Sequence, residues 1–188
     1  MTIGFALCGS YCTYDWVFPV IETLSKSNRI LPILSEAAYT TDSRFGTAEH
    51  WKRKLEEICG CPPLHRISQV EPIGPKGLLD ILVIAPCTGN TLAKLAHSIA
   101  DGPVTMAAKS HLRNGRPVLV AVSTNDGLAG AGENIGRLLG RKHYYFVPFR
   151  QDDWMKKPNS LVAEFGSIPE TIKAALQGRQ IQPVLLGT

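Results

Sequence analysis

No apolar run in the 188-residue sequence approaches the roughly 20 residues that a membrane-spanning helix needs, which argues against a membrane protein. Charge is scarce as well. Only 19% of residues are charged and the net charge is +4, with no concentrated basic stripe. That balance speaks against nucleic acid as a partner and leaves room for an anionic ligand. Met1 leads almost at once into an apolar stretch, with no basic n-region and no small-residue cleavage site. A cytoplasmic protein is expected. Cysteine is sparse and odd in number: Cys8, Cys12, Cys59, Cys61 and Cys87. Reduced thiols account for this better than a disulfide framework. Cys59-Gly60-Cys61 with His65 nearby invites a zinc reading, but a structural zinc site needs a second ligand pair and none is present. No metal is expected. A G-x-G-x-x-G dinucleotide fingerprint is also missing.

What the sequence has is alternation. Residues 2–7, 29–34, 81–84, 117–122 and 144–147 read as short strands, Pro32 being a blemish in the second. Residues 14–26, 48–59, 104–113 and 133–139 read as helices, with Pro19 in the early turns of the first and Gly60 stopping the second. Leu92, Leu95, Ala96 and Ile99 fall at i, i+3, i+4 and i+7 of another helix. Residues 40–47 and 149–159 read as polar loops, the latter with an exposed Trp154. Ser167 and Glu170 form a capping box for a last helix reaching Gln177, and residues 179–188 show no pattern. Alternating strands and helices predict βαβ units and a single domain over 1–188. The class is α/β: a Rossmann-like or flavodoxin-like three-layer sandwich with a parallel sheet.

The stretch from Asp80 to Asp101 holds the most chemistry. After its buried strand comes Pro86-Cys87-Thr88-Gly89-Asn90-Thr91, which puts hydroxyls, an amide and free backbone N–H groups at a helix N-terminus. The helix dipole favours an anion there. A plain helix cap, with Thr88 or Asn90 accepting an N–H, is the simpler reading. Gly9-Ser10 after the first strand is a minimal phosphate cradle, and Ser35 closes the second strand as either a cap or a ligand group. In open α/β sheets ligands sit beyond the strand C-termini. That rule gathers Gly9, Ser10, Ser35, residues 86–91 and residues 123–125 along one edge.

Residues 85–101, APCTGNTLAKLAHSIAD, resemble the AP-x-[ST]-x-NT-[LI]-[AG]-K-[LI]-A segment of the FMN-binding flavoprotein family. That family includes phosphopantothenoylcysteine decarboxylases and flavin prenyltransferases. The resemblance implies an FMN site at Gly9, Ser10, Tyr11, Ser35, Ala85, Pro86, Cys87, Thr88, Asn90, Thr91, Ser123 and Asn125, with Cys87, Asn90 and Asn125 nearer the ring. It also implies a homo-oligomer, a trimer or multiple of trimers, with flavin at a subunit interface. The family's decarboxylases carry a His before the central strand, where this sequence has Glu71-Pro72-Ile73. They carry Pro-Ala-Met-Asn where it has Val122-Ser123-Thr124-Asn125, and a Cys-containing clamp where it has Lys156-Lys157-Pro158. Decarboxylation is therefore set aside.

Cys8 to Thr13, Ala107-Ala108-Lys109, Leu112 to Pro117, Ser123 to Leu128, Tyr145 to Phe149 and Lys156 to Ser160 are similar to another branch of the same family. In that branch the chain is one half of a sporulation dehydrogenase of the bacterial mother cell. The implied reaction turns a dihydro precursor into pyridine-2,6-dicarboxylate, with NADP(H) on a partner subunit. Such a dianion needs cationic clamps. Arg150, Lys156 and Lys157 are the candidates, with Asn125 and Asn159 as orienting amides. No residue is identified as a general base, His97 and His111 reading as surface or core-edge histidines. The first alternative is a non-catalytic flavin-binding chain that stabilises or activates its partner; the second, against which the missing His argues, is a phosphopantothenoylcysteine decarboxylase-like or flavin prenyltransferase-like enzyme.

Overall fold

The computed structural model describes residues 1–187, so position 188 of the patternless tail lies outside the described residues. Seven strands form the sheet: β1 Thr2–Leu7, β2 Arg29–Leu34, β3 Ile81–Cys87, β4 Val118–Thr124, β5 Tyr144–Phe146, β6 Phe149–Gln151 and β7 Leu161–Ala163. Five are parallel, in the order β2-β1-β3-β4-β5. β3 is buried at every position, as an apolar β-branched run covered on both faces requires. Helices α1 Tyr14–Ser25, α2 Glu36–Thr40, α3 Ala48–Cys59, α4 Ile67–Val70, α5 Gly89–Ala96, α6 Pro103–Leu112, α7 Gly132–Leu139 and α8 Ile168–Leu176 cover the sheet. The fold is a flavodoxin-like α/β three-layer sandwich. α1 turns Tyr14, Val17, Phe18 and Ile21 inward, where Tyr14 and Phe18 pack on Trp51 of α3 at 5.1 Å between ring centroids. None of these helices is long and apolar enough to cross a membrane.

The structure corrects several expectations. The sheet is mixed, because residues 149–159 are not simply a loop: β6 and β7 form an antiparallel pair. β7 runs antiparallel to Ser123 and Thr124, the upper end of β4, while β5 pairs the lower end. Trp154 is exposed in the connection, as expected. β3 runs three residues further than the apolar run, through Pro86 to Cys87. A register shift between Ile84 and Cys87 accommodates the proline, which has no N–H to give, and the Ala85–Pro86 peptide is cis. α5 stops at Ala96, so Ile99 is not on its apolar face and is 47% exposed. The Arg141 guanidinium takes the carbonyls of Leu95 and Ala96 at that end. Ser167 makes no side-chain cap, because a 3-10 turn over Phe165–Ser167 already leads into α8. The tail is not patternless: Gln180 donates to and accepts from the backbone of Phe146, both at 2.7 Å, acting as a strand partner for β5.

Candidate functional site

Three parallel strands and the hairpin end at the same edge of the sheet. β1 delivers Gly9, Ser10 and Tyr11, β3 delivers Thr88, and β4 delivers Ser123, Thr124 and Asn125. These residues line a cleft of about 400 Å³, with Lys157 and Ser160 from the β6–β7 connection on its far wall. A second hollow of about 650 Å³ adjoins it across Gly9 and Thr88 and is lined by Ser35, Asn90, Thr91, Lys94 and Thr105. One elongated site with two lobes results.

The floor is a hydroxyl network. Ser10 Oγ and Ser123 Oγ share a hydrogen bond of 2.7 Å across 113 residues of sequence. The Thr13 hydroxyl donates to Ser10 O at 2.8 Å and pins that loop, while the Tyr11 hydroxyl donates to Ala37 O at 2.7 Å and ties it to α2. Thr88 is the N-cap of α5, accepting the Thr91 amide at 3.4 Å, and Ser35 caps α2 by accepting the Ala38 amide at 3.2 Å. The cap reading of both is therefore realised, yet both side chains still line the cleft. The first-turn amides of α5 ahead of Thr91 have no intrahelical acceptor and remain for a ligand. Gly89 opens that helix because a Cβ there would stand 2.7 Å from both Asp126 Oδ1 and Thr124 Oγ1.

Charge in the cleft is balanced locally. Lys157 Nζ lies 2.8 Å from Asp152 Oδ2, and the carboxylate raises the pKa of the ammonium. Lys94 Nζ lies 2.9 Å from Asp101, whose carboxyl it holds below the usual range. Beneath the floor, burial pushes the Cys8 thiol up to about 11 despite the Thr91 hydroxyl 3.3 Å from its sulfur. Cys87 is raised for the same reason. Both thiols are neutral, so neither is an activated nucleophile.

Of the residues expected at the cofactor, Gly9, Ser10, Tyr11, Thr88, Ser123 and Asn125 line the first lobe, and Ser35, Asn90 and Thr91 the second. Ala85, Pro86 and Cys87 lie in β3, buried below the floor, where they shape the backbone. Of the five expected at the substrate, the structure brings Asn125 and Lys157 into the cleft and leaves three outside. Arg150 turns to an outer crevice beside Trp16 and Phe165, where Glu164 takes its guanidinium at 3.1 Å. The Lys156 side chain is 85% exposed and pairs with Asp153, and Asn159 is exposed outside both lobes. His97 is exposed, whereas His111 is fully buried with Nε2 3.1 Å from Pro117 O. Sequence reasoning missed Trp16 and Phe45, aromatics open at the rim of the first lobe, and the Asp152–Ser160 pair. Trp16 carries a usable signal: it stands outside the apolar stripe of α1, with no core position to explain it.

The donor set fits FMN. Four hydroxyls, from Ser10, Ser35, Thr88 and Ser123, suit a phosphate and a polyol chain, and the amides of Asn90 and Asn125 suit a polar ring edge. Among the described residues there is no cluster of three or more His, Cys, Asp or Glu that would compete as a metal site.

Residues 1–130 match the family model described as Flavoprotein. The chain is 46% identical over 185 residues to the B subunit of dipicolinate synthase from Bacillus subtilis strain 168, covering 98% of this chain and 92% of the relative. The crystal structure of the corresponding dipicolinate synthase chain from Bacillus halodurans superposes with a TM-score of 0.91 at 47% identity, over 100% of this chain and 96% of that one. The FMN-dependent cysteine decarboxylase SpaF shares the fold, with a TM-score of 0.71 at 21% identity over 95% and 97% of the two chains. The chain belongs to the flavoprotein family, in the branch of the dipicolinate synthase B subunits.

Proposed function

We propose that this chain is the FMN-holding subunit of a dipicolinate synthase. Together with an NADP(H)-binding A subunit it dehydrogenates a dihydrodipicolinate-type precursor to pyridine-2,6-dicarboxylate, in the cytoplasm of a sporulating mother cell. The observation that carries this reading is the meeting of a hydroxyl floor with Lys157 and Asn125 in one cleft. Ser10, Ser35, Thr88 and the first-turn amides of α5 hold the phosphate and polyol, and Ser123 orders Ser10. Lys157 and the Asn125 amide bind a substrate carboxylate. The bound flavin supplies a hydride-accepting ring. The side chains orient the substrate against it, and Trp16 and Phe45 narrow the mouth against water. The working form is a homo-oligomer, a trimer or multiple of trimers, which gives exposed apolar side chains such as Leu128 and Met155 a surface to cover.

A second reading has one observation in its favour. Among the described residues, the one acidic side chain lining the first lobe, Asp152, is already engaged by Lys157 and Ser160, and no histidine lines it. A flavin-binding chain that activates the A subunit without doing chemistry needs no acid or base there. The purified chain is therefore tested by visible absorption, and any pigment released on denaturation is identified. Turnover of the dihydro precursor is then assayed with and without the A subunit. Flavin bands, released FMN and partner-dependent turnover that is lost on removing flavin support the synthase reading. Turnover that survives flavin removal supports the activator, and a colourless chain unable to take up FMN sinks both.

A further inference from the structure

We propose that Asp152 is the positioning residue for the substrate carboxylate, holding the Lys157 ammonium as a preset anchor. This rests on the dicarboxylate reading above. Asp152 follows β6, and its Oδ2 accepts from Lys157 Nζ at 2.8 Å and lies 3.5 Å from Ser160 Oγ. Ser160 is only 3% exposed, and its single hydroxyl proton has three acceptors in reach, Thr124 O at 3.3 Å, Asn125 Oδ1 at 3.4 Å and Asp152 Oδ2 at 3.5 Å. With its oxygen turned to Ser160, Asn125 keeps its NH₂ group as a donor for a ligand. Lys157 carries three N–H donors and Asp152 uses one, so the ammonium serves the ligand without releasing its holder.

The pairing has a thermodynamic purpose. A free lysine loses rotamer freedom when it is immobilised. Lys157 is already held before the ligand arrives, so less of that loss falls on binding. The Asp152 hydrogen bond also raises the pKa of the ammonium. The neighbouring pair is a useful contrast. Lys156 and Asp153 stand 3.6 Å apart, with Lys156 in solvent and outside the cleft. The turn itself is fixed by backbone bonds, Lys157 N to Asp153 O at 2.6 Å and Ser160 N to Lys157 O at 3.0 Å. Replacing the Asp152 carboxylate leaves these in place.

The experiment measures the dissociation constant of pyridine-2,6-dicarboxylate for the FMN-loaded full chain by equilibrium dialysis. The chains compared are the native one, Asp152→Asn, Asp152→Glu, Asp153→Asn, Lys157→Met and the Asp152→Asn/Lys157→Met pair. Asp152→Asn is expected to weaken binding about tenfold, the scale of a hydrogen bond to a charged group, with the melting temperature and FMN content unchanged. Asp152→Glu should recover part of the loss and Asp153→Asn should bind as the native chain. The double variant should bind no more weakly than Lys157→Met alone, because Asp152 acts through Lys157. Native-like binding by Asp152→Asn overturns the proposal. So does a loss that adds to that of Lys157→Met, or one that tracks a fall in melting temperature. A native chain that retains FMN and binds no dicarboxylate overturns the substrate reading itself, and Asp152's role falls with it.

Discussion

Ser10 and Ser123 each bring one hydroxyl proton to a shared 2.7 Å bond, so one of the two oxygens always has capacity left for a ligand. Ser10→Ala removes a ligand contact and the partner of Ser123 at once. FMN should dissociate about tenfold more readily from this variant, measured by flavin fluorescence on dilution, while the far-UV spectrum stays native. Cysteine reactivity gives a second residue-level expectation. Cys8 and Cys87 are buried and their thiols are pushed up by burial, whereas Cys12 is exposed at the cleft. Iodoacetamide on the native chain at pH 8 should label Cys12 and spare Cys8 and Cys87, as read by peptide mass spectrometry, and denaturant should release both. At this scale the sequence was legible where chemistry depends on a strand end. Ser10, Ser35, Thr88 and Ser123 all follow or finish strands, and all reach the cleft. It was illegible for Arg150 and Lys156, because a charge in a polar segment declares no direction. Glu164 and Asp153, the partners that turn them away, lie across a hairpin or on the outer side of a turn.

At the scale of elements, α5 depends on one close approach. A methyl on Gly89 would press within 2.7 Å of both the Thr124 hydroxyl and the Asp126 carboxylate, which are themselves bonded to each other. Gly89→Ala should therefore destabilise the fold by about 1–3 kcal/mol, although alanine is the better helix former. It should also shift the first-turn amides and weaken FMN retention. A melting temperature equal to that of the native chain would refute it. The elements themselves were read from apolar patterning and stop signals, and that reading held where burial is complete, as in β3, and where a glycine ends the helix, as in α3. It failed where long-range pairing creates the element. β6 and β7 are three residues each, too short for a period, and exist because the end of β4 offers them an edge. The extension of β3 through Pro86 is the same failure in reverse. Proline reads locally as a strand breaker, and only the register shift against β4 shows how it is carried.

For the molecule as a whole, one buried titrating group couples the core to pH. His111 sits on α6 with 1% of its surface exposed and its Nε2 on the carbonyl of Pro117, at the entry to β4. Burial lowers its pKa to about 4 from 6.5; the Pro117 carbonyl opposes this, Arg116 lowers it further and Asp80 raises it. The unfolded chain therefore takes up a proton near pH 6.5 that the folded chain refuses until about pH 4. The unfolded state binds more protons across that window, so stability rises with pH through it. The contribution is complete above about 6.5 and lost as pH falls through about 4, on the order of 3 kcal/mol in all. Urea unfolding of the native chain should show a midpoint that falls from pH 7 to pH 4. His111→Gln keeps a donor for Pro117 O without the titration, and its curve should be flatter across the same range. If the two chains lose stability in parallel across this range, the acid sensitivity does not belong to His111; Asp101, whose carboxyl Lys94 holds below the usual range, gives up its contribution only below pH 4. The window thus separates the two causes. A slope confined to pH 4–6.5 assigns the coupling to the histidine packed between α6 and the start of β4, the strand whose far end carries Ser123 and Asn125 to the cleft.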